Sequence, residues 1–421
     1  MKLFDSLVPV AFRPSVRGPL LRFYGCTFVA CFGAGLTLAL FVIYLHNVRG
    51  FSTSFATLLL TMSALIGLGT APLWGTLTDR IGPVPVILVG YSADAVAIVL
   101  WAFAHTRLQA TLATVLLAIF GGAGGGPGGT LLARLAPPEH RQWAFGFNFM
   151  MVNLGIGFGG LISATIVNLA HPGTFVTLYV VNAAVQLVAA LLATTLRGHG
   201  HATEELDERQ RAEGWRVVVK DRLLLRYVTA TLVMMIGGYG SVDAGLSLFI
   251  VNNLHVSVHA IGVIYFFNTS TIVFAQIAVL HRIEGRSRTR VLSVVGVLWF
   301  AFWIILEVAL ALPALVAIGS ICLAMIVFAI GETMIQPVGS AIVNHIAPEH
   351  LRGRYNAAAG AAFGISATIA PALTGLYYSV HLGNWWPLGT GVTALAGGAM
   401  MLNLRHHLTG AADGRAEVAS A

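Results

Sequence analysis

The chain has 421 residues, of which 57% are hydrophobic and only 10% are charged. Soluble domains carry roughly 25% charged residues, so this composition excludes an ordinary water-soluble enzyme or binding module. The net charge of +7 comes without DNA-binding motifs or long basic loops, which argues against a nucleic-acid partner.

Apolar stretches of about 20 residues, the length needed to cross a bilayer as a helix, recur along the whole chain. In the first half they predict spans over residues 23–46, 54–74, 84–104, 109–132, 145–168 and 174–195. In the second half they predict spans over residues 227–250, 259–280, 291–311, 314–336, 356–379 and 386–404. The sequence thus predicts an all-α membrane protein with twelve transmembrane helices in two six-helix bundles.

A polar, charge-rich stretch over residues 197–222 separates the first six spans from the last six. We predict an N-terminal bundle over 1–196, a cytoplasmic linker over 197–222, a C-terminal bundle over 223–405 and a disordered cytoplasmic tail over 406–421. Residues 136–141 (Ala-Pro-Pro-Glu-His-Arg) and 347–352 (Ala-Pro-Glu-His-Leu-Arg) stand at equivalent positions in the two halves. Such a pseudo-repeat is typical of transporters that alternate access to a midplane site.

The distribution of basic residues predicts the orientation in the membrane. With the N-terminus in the cytoplasm, all 24 Lys and Arg residues except Arg49 and Arg107 fall on the cytoplasmic side. This is the bias that the positive-inside rule describes. We therefore expect a multi-pass protein of the cell membrane with both termini cytoplasmic, inserted by its first span rather than by a cleavable signal.

The most distinctive segment lies between the second and third spans, where residues 75–82 read Gly-Thr-Leu-Thr-Asp-Arg-Ile-Gly. Physically this pattern predicts a tight cytoplasmic turn, in which Gly75 and Gly82 permit close helix approach and positive φ. Asp79 can pair with a basic residue or cap a helix N-terminus, where the helix dipole favours a carboxylate. A plain surface turn is the alternative.

This segment resembles the signature loop of the major facilitator superfamily, Gly-x-Leu-x-Asp-Arg-x-Gly, although Pro83 and Pro85 stand where basic residues usually follow. With the span count, the central loop and the repeat, the resemblance covers nearly the whole chain and implies that family's two-bundle fold. It also implies a gating motif that latches the two halves on the cytoplasmic side: Gly75, Asp79, Arg80 and Gly82. The expected partners of the motif are Arg134, Arg141 and the start of the eleventh span.

Further segments resemble the drug:proton antiporter branch, the twelve-helix bacterial multidrug exporters. The fifth span carries a Gly-rich stretch over 153–160, with Phe158 about where that branch usually has Pro. In the fourth span the glycines over 121–129, with Pro127 among them, favour close helix packing over a hinge. The tenth-span segment 331–337, which contains Glu332, fits the same resemblance, as do Asn268 and Gln276 in the eighth span.

Four acidic residues fall within predicted spans, and three of them lie away from the outer ends: Asp94 in the third, Asp243 in the seventh and Glu332 in the tenth. A charge at the bilayer centre costs about 3 kcal/mol on insertion scales, so each is a functional candidate by default. The neutral carboxyl is favoured away from water, so these groups can carry protons and are our candidate proton-coupling or substrate-binding residues. A hydrogen bond to a neighbouring helix is the alternative. Glu307 lies near the outer end of the ninth span and can reach water.

The candidate cavity-lining residues are deeper polar or aromatic side chains of the second half: Tyr239, Asn268, Gln276 and Gln336. For Tyr239, helix packing is the alternative. The histidines lie at helix ends or in loops without Cys/His zinc spacing, so we expect no metal site, and we expect no cofactor. The expected partners are a small-molecule substrate, protons and the lipid bilayer, and we expect a monomer.

Together these features predict a secondary active transporter. We find no clustered nucleophile and base, and no phosphate-binding loop of an ATP-driven pump. The first hypothesis is proton-coupled export of small amphipathic molecules, drugs or metabolites, by alternating access. A proton-coupled symporter for a small nutrient is the alternative, although the lack of a deep basic residue disfavours organic anion uptake. A membrane-embedded enzyme is the less favoured third interpretation.

Overall fold

The computed structural model describes residues 18–122, 124–199, 214–254 and 259–415. Over these residues the chain forms helices joined by short turns, with no β-strand. The predicted all-α fold is confirmed. A helix satisfies its backbone N–H and C=O groups within its own segment, which is what a segment that crosses lipid requires.

The helices of the first half follow one another closely in sequence. α1 (Pro19–Thr37) continues through short 3₁₀ and π turns as far as Val48. After it come α2 (Thr53–Ile81), α3 (Pro83–Ala102), α4 (Arg107–Gly121), α5 (Gly125–Leu135), α6 (Arg141–Ile166) and α7 (Gly173–Thr194). The predicted fourth span is thus two helices, because Pro127 has no N–H to continue the helical ladder and the glycines before it weaken the helix.

The second half begins with a single helical turn (Trp215–Val218) and then α8 (Arg222–Met235). Two π turns, Ile236–Gly240 and Val242–Leu246, kink the seventh span before α9 (Ser247–Asn252). At the kink Gly238 has a non-helical φ of −118° and ψ of −110°. The remaining helices are α10 (His259–Ile283), α11 (Arg288–Ala309), α12 (Ala314–Ile346), α13 (Arg352–Ser379) and α14 (Trp386–Leu404).

Eleven helical segments within the described residues are long and apolar enough to cross a membrane. α14, the predicted twelfth span, has 19 residues and is not among these eleven. Many leucines are exposed on helix surfaces, including Leu58, Leu108 and Leu191. Lipid is the environment that suits such surfaces. The chain is a multi-pass membrane protein.

The chain divides into two compact units. The first comprises Met1–Glu213 and Ala347–Ala357, and the second comprises Gly214–Ile346 and Ala358–Ala421. Segment 347–357, which connects α12 to the first turns of α13, therefore belongs to the first unit. The predicted domain limits stay predictions, and most of the predicted linker, residues 200–213, lies outside the described residues.

Within the first unit, α1 and α6 pack with their backbones almost in contact. A Cβ atom on Gly159 would lie 2.2 Å from the Phe32 carbonyl oxygen, and one on Gly155 would lie 2.7 Å from the Phe28 carbonyl oxygen. Larger residues would force the helices apart, as is common where small residues mediate helix packing in membranes. The Gly-rich stretch over 153–160 is thus a packing face.

Within the second unit, two tryptophans of α11 hold the kink of the seventh span. The indole N–H of Trp303 donates to the Gly237 carbonyl at 2.6 Å. A Cβ atom on Gly238 would lie 2.1 Å from the Trp299 ring, so only glycine fits there. The Trp299 N–H donates in turn to the Phe328 carbonyl on α12 at 3.1 Å. These contacts fix the kinked backbone against α11 and α12.

The predicted disordered tail over 406–421 is wrong for its first part. Residues up to 415 pack on the turn before α11, and Asp413 is fully buried. Its carboxylate accepts hydrogen bonds from the Ser287 hydroxyl at 2.7 Å and from the Thr289 N–H and hydroxyl at 2.8 Å each. The tail is short and polar, and its sequence alone does not indicate that Asp413 contacts Ser287 and Thr289, which are distant in the chain. Residues 416–421 lie outside the described part.

Candidate functional site

The signature segment 75–82 is helical rather than a loop. α2 continues through Ile81, and the chain turns only at Gly82, which has a φ of 86°. The positive φ expected for Gly82 is present, whereas Gly75 lies inside the helix. Asp79 and Arg80 occupy the last turn of α2, where the side chain of Asp79 is only 3% exposed and Arg80 is exposed.

Asp79 caps the N-terminus of α13. The Gly353 N–H donates to Asp79 Oδ1 at 2.6 Å, and the Arg354 N–H donates to Oδ2 at 3.2 Å. The Arg354 guanidinium lies 3.6 Å from the same Oδ2. The helix dipole and the nearby cation both favour a carboxylate at this point. Asp79 thus contacts the start of the eleventh span, and both sides of the contact belong to the first unit.

Two glycines allow α2 and the first turn of α13 to come together. A Cβ atom on Gly353 would lie 2.6 Å from both Asp79 Oδ1 and the Gly75 carbonyl oxygen. A Cβ atom on Gly75 would lie 2.9 Å from that of Ala357. Gly75 therefore serves close helix approach, and the short Asp79 hydrogen bonds depend on it.

A second ion-pair cluster lies in the same unit. Arg134 Nε is 3.0 Å from Glu349 Oε1, and Arg352 pairs with the other oxygen of that carboxylate. The side chains of both arginines are less than one-tenth exposed. Arg134, an expected partner of the motif, therefore pairs with Glu349 of segment 347–357. Arg141, the other expected partner, donates to the Ala133 carbonyl at 3.0 Å.

The first unit also contains a cavity of about 320 Å³, lined by α1, α3, α6, α7 and the glycines around the break between α4 and α5. Asp94 lines this cavity from α3. Its Oδ1 atom is buried and has no hydrogen-bond partner among the described residues. Asn148 and Gln186, which sequence analysis did not single out, line the same cavity.

In the second unit the structure brings three predicted residues together. Glu332 on α12 is only 3% exposed. The side-chain N–H of Asn268, on α10, donates to Glu332 Oε2, and the Tyr239 hydroxyl lies beside the same carboxyl. A carboxyl with two polar partners in an apolar bundle is a costly arrangement that helix packing alone does not require.

Tyr239 combines the packing and polar roles that sequence analysis left as alternatives. Its ring centroid lies 5.7 Å from that of Trp299, 5.9 Å from that of Phe328 and 6.2 Å from that of Phe363. These rings surround Tyr239, and its hydroxyl lies beside the Glu332 carboxyl. Aromatic packing therefore holds the hydroxyl at the carboxyl.

The other predicted residues of the second unit have different surroundings. Asp243 is exposed on the second π turn and lies within electrostatic range of Glu332. Gln276 is fully buried, and its side-chain N–H donates to the Thr333 carbonyl at 3.0 Å. Gln336 is half-buried on α12. Gln276 thus links α10 to α12 beside Glu332.

Comparison of sequences identifies the family. A family model described as the Major Facilitator Superfamily matches residues 23–320 and 238–418. The chain belongs to the major facilitator superfamily. The resemblance of residues 75–82 to that family's signature is thereby confirmed at the family level. No curated protein matches the chain in sequence.

Solved structures of other transporters share the fold at low sequence identity. The human organic anion transporter MFSD10 (TETRAN) has a TM-score of 0.69 and 16% identity, with 93% of this chain and 100% of that chain covered. A bacterial homologue of the iron transporter ferroportin, in an outward-facing state, has a TM-score of 0.78 and 11% identity, with coverage of 93% and 100%. The proton:xylose symporter XylE bound to 6-bromo-6-deoxy-D-glucose has a TM-score of 0.64 and 15% identity, with coverage of 92% and 93%. The twelve-helix fold of the family is thus confirmed.

Members of this superfamily are transporters that bind small-molecule substrates within the membrane. The chain is therefore a transmembrane transporter, as its composition and spans predict.

Proposed function

We propose that this transporter couples the entry of protons to the export of small amphipathic molecules by alternating access. The observation that carries the proposal is the buried Glu332 carboxyl, held by Asn268 and Tyr239 within an apolar bundle. An acidic residue within a membrane bundle costs about 3 kcal/mol on insertion scales. Such residues are therefore retained where they have a function.

The two partners of Glu332 suit a group that alternates between charged and neutral forms. When the carboxyl loses its proton, the N–H of Asn268 donates to it and the neighbouring hydroxyl of Tyr239 can donate as well, so the charge has hydrogen-bond partners. When it gains a proton, the carboxyl is neutral, and burial among the aromatic rings around Tyr239 costs much less free energy than burial of the charged form. Asp94 and Asp243 are further candidates for proton or substrate binding.

The contacts of Asp79 support a role as a gate. The first turns of α13 are held in the first unit by Asp79, while the same helix continues into the second unit after Ala357. A change of access that moves α13 must therefore break or carry along the bonds to Gly353 and Arg354. The motif resemblance also supports this role for Gly75, Asp79, Arg80 and Gly82.

The location we propose is the cell membrane, with both termini in the cytoplasm. The support is the cytoplasmic excess of Lys and Arg, from which only Arg49 and Arg107 depart. Among functions, resemblance to the drug:proton antiporter branch favours export over uptake. Proton-coupled uptake of a small nutrient remains the second candidate, because a structural neighbour, XylE, is described as a proton:xylose symporter.

Reconstituted vesicles test the role of Glu332. We expect Glu332→Gln to abolish substrate movement driven by a proton gradient while substrate exchange without a gradient persists. Glu307→Gln is the matched control, because Glu307 is a half-buried carboxyl on α11 of the same unit. Normal proton-driven transport by Glu332→Gln, and also by Asp94→Asn and Asp243→Asn, would overturn proton coupling through these residues.

Whole cells test the direction of transport. In an efflux-deficient host, we expect the chain to lower the accumulation of amphipathic compounds and a protonophore to reverse that effect. Raised accumulation of a small nutrient, with the same sensitivity to the protonophore, would replace export by the symporter alternative.

A further inference from the structure

The described residues that line the cavity of the first unit carry charge of only one sign. It holds about 320 Å³, lined by apolar side chains such as Phe23 and Val152 together with a few polar groups. None of the described residues that line it is Lys, Arg or His, whereas Asp94 contributes a carboxylate. The field inside such a cavity favours a positively charged occupant and disfavours an anion.

A chain of hydrogen bonds fixes the orientation of Gln186 in this cavity. The Asn182 side-chain N–H donates to the Thr37 hydroxyl at 2.9 Å, so the Asn182 oxygen faces Gln186. The Gln186 side-chain N–H donates to that oxygen at 3.4 Å and to the Ala30 carbonyl at 3.1 Å. With both contacts made by nitrogen, the amide cannot be reversed without losing them, and its oxygen is left as an acceptor.

Gly33 makes this arrangement possible. A Cβ atom at residue 33 would lie 2.5 Å from the side-chain oxygen of Asn182. Any larger residue would displace Asn182 and with it the partner that orients Gln186. The backbone of α1 is thus shaped to hold a polar network on α7.

Three oxygen atoms of the cavity-lining residues have no hydrogen-bond partner among the described residues: Asp94 Oδ1, Asn148 Oδ1 and Gln186 Oε1. They come from α3, α6 and α7, and Gln186 as a whole is only 5% exposed. When Asp94 is ionised, all three are acceptors, so they do not satisfy one another. Buried polar atoms without a protein partner are rare, and a bound water, ion or ligand is what satisfies them.

We propose that the cavity of the first unit binds a small monovalent cation, with Asp94 as the charged ligand and the amide oxygens of Asn148 and Gln186 as neutral ligands. Carboxylate and amide oxygens are the donors that hard cations prefer. A single carboxylate matches a single positive charge, so the bound site is neutral in the apolar interior. An alkali ion and a small primary ammonium ion share this chemistry. The site is separate from Glu332 and does not rest on proton-coupled export.

Thermal unfolding of the full-length purified protein tests the proposal without any transport assay. The chloride salts of Na⁺, K⁺, Li⁺ and methylammonium are compared at equal ionic strength with that of N-methylglucamine, a much bulkier cation that serves as the reference. We expect at least one small cation to raise the Tm by about 2–4 °C through binding to the folded state. The salt that raises the Tm shows whether the site binds an alkali metal ion or an ammonium ion.

The variants decide whether that effect belongs to the cavity. Asp94→Asn removes the charge with little change of shape, and Asn148→Ala removes one neutral oxygen. We expect the cation-dependent shift to disappear in the first variant and to require at least several-fold more salt in the second. Glu307→Gln, which alters a carboxyl of the second unit, should keep the full shift. The same Tm in every salt, or a shift retained in Asp94→Asn, would overturn the proposal.

Discussion

Two buried carboxylates, one in each unit, satisfy the N-terminus of a helix. Asp79 accepts backbone N–H bonds at the start of α13, and Asp413 accepts one at the start of α11. Each also lies near an arginine, Arg354 at 3.6 Å from Asp79 and Arg415 at 2.9 Å from Asp413. In both places an anion meets donors that have no partner within their own helix.

The two carboxylates differ in where the chain provides them. Asp79 belongs to the signature segment at the end of α2, whereas Asp413 comes after α14, beyond the last helix. The second-half counterpart of the signature segment, residues 281–288, reads His-Arg-Ile-Glu-Gly-Arg-Ser-Arg and keeps charge without the pattern. Both units therefore supply a carboxylate to the N-terminus of a helix, but only in the first unit does that carboxylate belong to a recognisable sequence motif.

Removal of Asp413 should have the largest effect on stability. Asp413→Ala deprives the Ser287 and Thr289 hydroxyls and the Thr289 N–H of a fully buried acceptor. We expect the free energy of unfolding to fall by about 3 kcal/mol, the range for breaking a buried charged contact. Thermal unfolding in detergent measures the change as a lower Tm.

Arg415→Ala is the matched control for this prediction. The Arg415 side chain is 38% exposed, so its ion pair with Asp413 is screened by water, and we expect a loss of about 0.5 kcal/mol. Equal decreases in Tm for the two substitutions would show that the hydrogen bonds from α11 to Asp413 do not stabilise the protein. The comparison of Asp413 with Asp79 would then not hold.

An added methyl group at Gly353 tests the close approach on which the Asp79 contact depends. Gly353→Ala places a Cβ atom 2.6 Å from Asp79 Oδ1 and from the Gly75 carbonyl oxygen, so we expect a loss of about 1–3 kcal/mol from overpacking. Gly360→Ala on the same helix meets no atom within 4 Å and should be neutral or slightly stabilising. Tm values of the two variants give the comparison directly, and equal values would show that the approach is loose.

Asp79→Asn separates the charge of the cap from its hydrogen bonds. The amide oxygen can still accept from the Gly353 N–H, but the interaction with the Arg354 guanidinium is weakened. We expect a stability loss of only about 1 kcal/mol together with a marked fall in transport by protein that remains folded in vesicles. Glu139→Gln, at an exposed acid of the same unit, is the control and should transport normally. Unchanged transport by Asp79→Asn would remove the motif from the gate.

The sequence predicted the architecture well because its signals are local. Spans are visible as apolar runs, and the family signature is a continuous stretch of eight residues. The errors also have local causes: α2 runs to Ile81 rather than residue 74, since the signature segment is polar enough to resemble a turn and yet remains helical. The break before Pro127 was underestimated because glycine favours both packing and helix interruption.

The polar contacts were harder to predict because their partners are distant in sequence. Glu332 and Asn268 were each candidates, but 64 residues separate them and no periodicity shows that they meet. Gln186 lies on an apolar helix, where a single amide gives no signal until Asn182 and Thr37 are placed beside it. Asp413 was missed for the same reason, because its partners lie 124 to 126 residues earlier.

The position of Asp413 also sets an order of events during biosynthesis. α11 enters the membrane before the Asp413 acceptor exists, since the ribosome must still make α12, α13 and α14 before it reaches Asp413. Until then Ser287 can accept only from the Arg290 N–H, and the Thr289 N–H can bond only to water or lipid headgroups. A chain truncated between α14 and Asp413 would have every span inserted and yet lack this contact. We expect such chains to be degraded faster than the full-length protein, because proteolysis follows the population of opened molecules.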